Sequence, residues 1–169
     1  MYHINAEQKG FTLMEILIYL AISGIIIAGV STLLYVMLGA RVKQQTINEV
    51  EQQGAFMMRY ITQAVRNADA ITEPASGAAV NLTLNMYDLT DDPMVISLTG
   101  NTLSVSRAGE PAIALHSDRV EIANVAFTNV SYAGTPGALS ITYTVRSVNP
   151  SGRQEYSYEK TFYGSATIR

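Results

Sequence analysis

Glu15 raises the sharpest chemical question in the sequence. It stands directly ahead of residues 16–38, a run without a single charged side chain. A carboxylate held at depth in a lipid-spanning helix costs about 2.5–3.5 kcal/mol on insertion scales. Such a group must either snorkel to a polar interface or meet a cation, and no cation lies within that stretch of helix.

Other residues with chemical potential are few. The chain has two histidines, His3 and His116, and no cysteine, so a histidine-based triad or a zinc site would have to be built around very little. His116, Ser117 and Asp118 are neighbours in sequence, which is not how a triad is assembled in space. No catalytic residue is expected and no cofactor is implied. Asp88, Asp91 and Asp92 fall in a turn over residues 87–93 and are weak calcium candidates. They lack EF-hand spacing, and turn formation with solvation explains them better. Tyr156 and Tyr158 are expected on one strand face, with Tyr132, Tyr143 and Tyr163 on other strands. Base stacking is one use for such rings, and core or sheet-surface packing is the more economical one.

The elements that must position these residues change character along the chain. Residues 16–38 exceed the roughly 20 apolar residues needed to cross a bilayer, and Leu, Ile and Val dominate them. A secretory signal peptide would have an apolar core of about 7–15 residues and a small-residue cleavage site. Here the polar residues 40–45 continue the helix without a break. No proline occurs from Phe11 to Ala70, which permits one helix of roughly 60 residues, about 90 Å long. In its second half Val50, Gly54, Met57, Ile61, Ala64, Val65 and Ala68 recur at helical spacing between polar residues, so residues 40–71 should lie on a soluble core. Thr72, Glu73, Pro74, Ser76 and Gly77 then stop the helix.

From residue 79 the period becomes two. Val80, Leu82, Leu84 and Met86 alternate with polar residues, and segments 94–98 and 102–107 flank Gly100-Asn101 as a hairpin. Further strands are expected at 112–115, 120–132, 139–147 and 155–163. Short connections imply one antiparallel sheet over residues 79–169, and the amphipathic half-helix is the long element available to cover its apolar face. The fold class is α+β.

A length of 169 residues suits one modest domain with an appendage, and a net charge of −3 is the wrong sign for tracking phosphates. Acidic residues also outnumber basic ones after Ala70. Lys9 precedes the apolar run while Arg41 and Lys43 follow it, so the positive-inside rule does not decide the orientation.

Residues 9–18, Lys-Gly-Phe-Thr-Leu-Met-Glu-Ile-Leu-Ile, resemble the prepilin motif: a basic residue, the cleavage glycine, a phenylalanine, Thr-Leu, one free position and a glutamate, followed by the apolar helix. The resemblance implies a type IV pilin fold and a structural role, in a minor pilin or a pseudopilin of a type IV pilus or type II secretion-like filament. It implies a leader at residues 1–10, which would carry away His3, a transmembrane and assembly segment at 11–39 and a soluble domain at 40–169. Prepilin peptidase would cut between Gly10 and Phe11 and methylate the new amine of Phe11. Glu15 would pair with the terminal amine of a neighbouring subunit, with Phe11 and Thr12 beside it in assembly. The partners implied are other pilin and minor pilin subunits, the inner-membrane assembly platform and membrane lipid, and no nucleic acid. The leader would stay in the cytoplasm of a bacterium and the soluble domain would lie outside.

Two further features belong to this comparison. Gly24 and Gly29 are either points where the helix could unwind on assembly or small residues for close packing in lipid. Thr32 stands where many major pilins carry proline, which favours a minor pilin or pseudopilin over a main filament subunit. The Val-Arg-Asn-Ala-Asp stretch at 65–69, with the strands after it, looks most like J/W-type minor pilins, implying a tip complex that primes assembly. A major pilin, or an adhesive or DNA-capturing tip pilin, is the alternative.

Overall fold

The computed structural model describes residues 10–132, 134–135 and 137–169. Residues 1–9, most of the expected leader, including His3 and Lys9, lie outside the described residues. The chain divides into two compact units, Met1–Arg41 and Val42–Arg169, and the division falls within the long helix α1, Leu13–Arg66.

In the first unit α1 is long and apolar enough to cross a membrane, and none of its most apolar stretch is buried in the chain itself. Leu13, Ile25 and Tyr35 are each more than 70% exposed, at 78%, 74% and 73%. Apolar side chains on every side of a helix need an apolar solvent rather than a protein core. Thr32 turns its hydroxyl back to the Ala28 carbonyl at 3.0 Å, and α1 runs through this position.

In the second unit the amphipathic stripe does what its spacing requires. Thr46, Val50, Gly54, Met57, Ile61, Ala64 and Val65 are the buried residues of α1. Of these, Val50, Met57, Ile61, Ala64 and Val65 pack with Leu82, Leu84, Ile96, Phe127, Ile141 and Tyr143, all buried, in one core. Gly54 is required there, because a Cβ on it would fall within the Phe162 ring. Glycine in a helix interior costs about 1 kcal/mol relative to alanine, and the close approach of helix and strand is what it permits.

The strands are β1 Ala68–Glu73, β2 Gly77–Ala79, β3 Leu82–Met86, β4 Met94–Thr99, β5 Thr102–Arg107, β6 Ile113–Ala114, β7 Val120–Asn129, β8 Ala138–Ser147 and β9 Glu159–Thr167. All pairings are antiparallel. They form two sheets rather than the one expected, in the orders β1-β3-β4-β5-β6 and β2-β7-β8-β9. The expected hairpin joins β4 and β5, with Gly100 at φ 61° supplying the turn. Its tip links the sheets: the Asn101 carbonyl accepts from the Ile122 amide at 2.9 Å, and its side-chain nitrogen donates to Glu121 Oε2 at 2.5 Å. Alternation identifies a strand but not its neighbour, so the division into two sheets was hidden in the sequence.

Boundaries also differ: the strands begin at Ala68 rather than at residue 79, the strand expected at 112–115 is Ile113–Ala114, and the one expected at 120–132 ends at Asn129. Helix α1 ends at Arg66, short of residue 71. The Asn67 amide is shared between the Gln63 and Ala64 carbonyls at 3.1 and 3.2 Å, and Ala68–Glu73 then finds its backbone partners on β3. The last strand begins at Glu159 rather than 155, because Gln154–Tyr156 forms a short 3-10 turn. Lys43 holds that segment, its Nζ donating to the carbonyls of Ser157 at 2.5 Å and Gln154 at 3.3 Å. Tyr156 and Tyr158 therefore do not share a strand face.

Candidate functional site

The first turn of α1 is built by Thr12. It precedes the helix, and its hydroxyl oxygen accepts a hydrogen bond from the Glu15 amide at 3.2 Å, while its carbonyl accepts from Glu15 and Ile16 at 3.1 and 3.2 Å. The pattern Thr-x-x-Glu is that of a capping box, and here Thr12 supplies its half. Glu15 consequently occupies the first turn, where the helix dipole favours an anion. Its carboxylate turns toward Tyr19, whose hydroxyl donates to Oε1 at 3.2 Å. The Tyr19 ring in turn meets Phe11 edge to face, with centroids 6.5 Å apart and planes at 74°. Among the described residues Glu15 takes part in no ion pair. Gly10 is exposed, with open space where a Cβ would sit.

Tyr19 is the residue the sequence reading missed. The signal was present as the i, i+4 spacing from Glu15, which places two side chains on one helix face. The apolar neighbours of Tyr19 share the same exposure, so residue type does not set it apart.

The remaining candidates are engaged elsewhere. Asp88 Oδ1 accepts from the Thr90 amide at 3.0 Å and hydroxyl at 2.8 Å, and these bonds hold its carboxyl below the usual carboxylate value. Asp91 pairs with Arg107 at 3.2 Å, and Asp92 Oδ1 accepts from the Met86 amide at 2.8 Å. Each carboxylate thus shapes the loop between β3 and β4. Among the described residues no three histidine, aspartate or glutamate side chains gather as a metal site.

His116 acts as a strut. Its Nε2 accepts from the Leu103 amide at 3.1 Å and its Nδ1 lies 2.9 Å from the Ser117 carbonyl, an arrangement that suits the neutral ring protonated on Nδ1. The Ser117 hydroxyl donates to Glu49 rather than to the imidazole. Tyr143 is buried, stacks on Phe162 at 5.6 Å and donates its hydroxyl to the Gly54 carbonyl at 2.7 Å. Tyr132 and Tyr163 are exposed, and among the described residues neither stacks on another ring. Gly24 and Gly29 have open space around them.

Residues 5–31 match the family model of the prokaryotic N-terminal methylation motif. That match covers the capped first turn, Glu15 and the exposed apolar start of α1, and the helix continues onto antiparallel sheets. The chain is type IV pilin-like. No curated protein and no solved structure matches the pilin-like chain, so the sheets of its second unit are known from its own structure. The motif points to a structural subunit that is processed by prepilin peptidase, anchored in the membrane and assembled with other pilin subunits.

Proposed function

We propose that this pilin-like chain is a minor pilin or pseudopilin of J/W type, acting in the tip complex that primes a pilus or a type II secretion-like filament. Prepilin peptidase cuts between Gly10 and Phe11 and methylates the Phe11 amine. Processing leaves the chain in the inner membrane, with Val42–Arg169 outside the cytoplasm. In the filament the Glu15 carboxylate receives the Phe11 amine of a neighbouring subunit, and Thr12 keeps the first turn formed around it.

The observation that carries this reading is Glu15 in its setting. A helix whose apolar surface is uncovered by its own chain begins with a carboxylate that has no cation among the described residues. Lipid covers the apolar surface in the membrane, and sister helices cover it in a filament. Cleavage creates a cation at the very start of the same helix, and a second subunit presents it to Glu15. The uninterrupted helix at Thr32 supports the minor-subunit assignment.

Intact-mass analysis of the protein extracted from membranes of a host with active prepilin peptidase tests the reading. The expected mass is that of a chain beginning at methylated Phe11. A chain that keeps Met1 in such a host would rule the filament role out.

A further inference from the structure

We infer that Tyr19 is a positioning residue for assembly: its hydroxyl fixes the Glu15 carboxylate and its ring braces Phe11, leaving Glu15 Oε2 to receive the amine of a second subunit. This rests on the reading of Glu15 as the partner of that amine.

The geometry joins three residues of one helix start. Tyr19 lies one turn beyond Glu15, donates to its Oε1 at 3.2 Å, and sets its ring edge to face against Phe11 at 6.5 Å. One side chain therefore touches both the carboxylate that accepts the incoming amine and the residue whose own nitrogen becomes an amine on cleavage. An ionised carboxylate is an acceptor with room for several donors, so one hydroxyl does not saturate it. In lipid no water replaces a missing donor, and the phenol is a donor that travels with the helix.

Holding the carboxylate in place before assembly removes part of the ordering cost of pairing. The competing reading is that Tyr19 is one more aromatic residue at a membrane interface. An interfacial ring would act independently of Glu15. A positioning hydroxyl acts only through it, and this separates the two readings.

The test uses the full chain in its own cell. Epitope-tagged Tyr19→Phe, Glu15→Gln and the double variant are each expressed beside the untagged chain, and the tagged share of sheared filaments is measured with the extent of cleavage and methylation. Tyr19→Phe keeps the ring against Phe11 and removes only the donor. It should be processed normally and its share should fall about tenfold, the lower end for a hydrogen bond to a charged group. In the Glu15→Gln background the same change should have no further effect.

A second readout does not depend on assembly. In the detergent-solubilised chain labelled with carboxyl-13C glutamate, the infrared carboxylate band that Glu15→Gln deletes should shift on Tyr19→Phe. An unshifted band, a wild-type filament share for Tyr19→Phe, or an equal fall with and without Glu15 would each overturn the role of Tyr19. If Glu15→Gln itself enters filaments normally, the pairing reading fails, whereas a defective Glu15→Gln beside a normal Tyr19→Phe removes only the present inference.

Discussion

At Glu15 the magnitudes decide what the carboxylate needs. Its position in the first turn gains about 0.3–1 kcal/mol from the helix dipole. A hydrogen bond to a charged group contributes about 1.5–3 kcal/mol, and Tyr19 supplies one. The Tyr19 bond is long at 3.2 Å, so together these offset only part of the roughly 2.5–3.5 kcal/mol that depth in the membrane costs. Glu15 is thus left partly uncompensated in the unassembled subunit, and under the proposed pairing a neighbour's amine supplies the remainder in the filament. Under the same proposal, removing the carboxylate has its effect in the filament, where the neighbour's amine would be left buried and unpaired at a cost of about 3–5 kcal/mol. Glu15→Ala should insert and be cleaved like the unaltered chain but enter filaments poorly. Fractionation of cells and sheared filaments checks this, and normal incorporation would remove the argument.

At the scale of elements, the contact between α1 and the second sheet is set by what is missing from Gly54. Without a Cβ the helix backbone comes close enough for Phe162 of β9 to lie over it and for the Tyr143 hydroxyl of β8 to reach the Gly54 carbonyl. Gly164 on β9 makes the matching approach to the Met58 side chain. Burial pushes the Tyr143 phenol above its ordinary value of 10.0. The sign follows from linkage: the folded state holds this proton more tightly than the unfolded chain, so its contribution is fully present below about pH 10 and is lost as pH rises beyond it. Denaturant titration of the detergent-solubilised chain should show stability falling above about pH 10. Tyr143→Phe should cost about 1 kcal/mol at neutral pH through the lost hydrogen bond and should flatten the alkaline decline.

At the scale of the molecule, apolar surface is handled in two opposite ways on one helix. Residues beyond Arg41 bury a single stripe under two sheets, while in the apolar stretch before it no residue is buried within the chain. Alkaline carbonate should therefore leave the full chain in the membrane pellet, and a chain beginning at Val42 should fractionate with soluble protein. Recovery of the full chain in the carbonate supernatant would contradict a spanning α1.

Legibility followed distance along the chain. The apolar run at 16–38, the motif from Gly10 to Glu15, the stripe from Val50 to Val65 and the hairpin around Gly100 all depend on neighbours within a few residues. Periodicity and residue type were enough to read them. The partnership of β2 with β7, the Asn101 tip bridging the sheets, the halt of α1 at Arg66 in favour of pairing with β3, and the approach of Phe162 to Gly54 involve residues far apart in sequence. Each was decided when distant segments competed for the same backbone bonds and the same core volume, a choice that no local pattern encodes. Tyr19 falls between the two cases: its spacing from Glu15 was readable, but the direction of its hydroxyl was settled only in the folded helix.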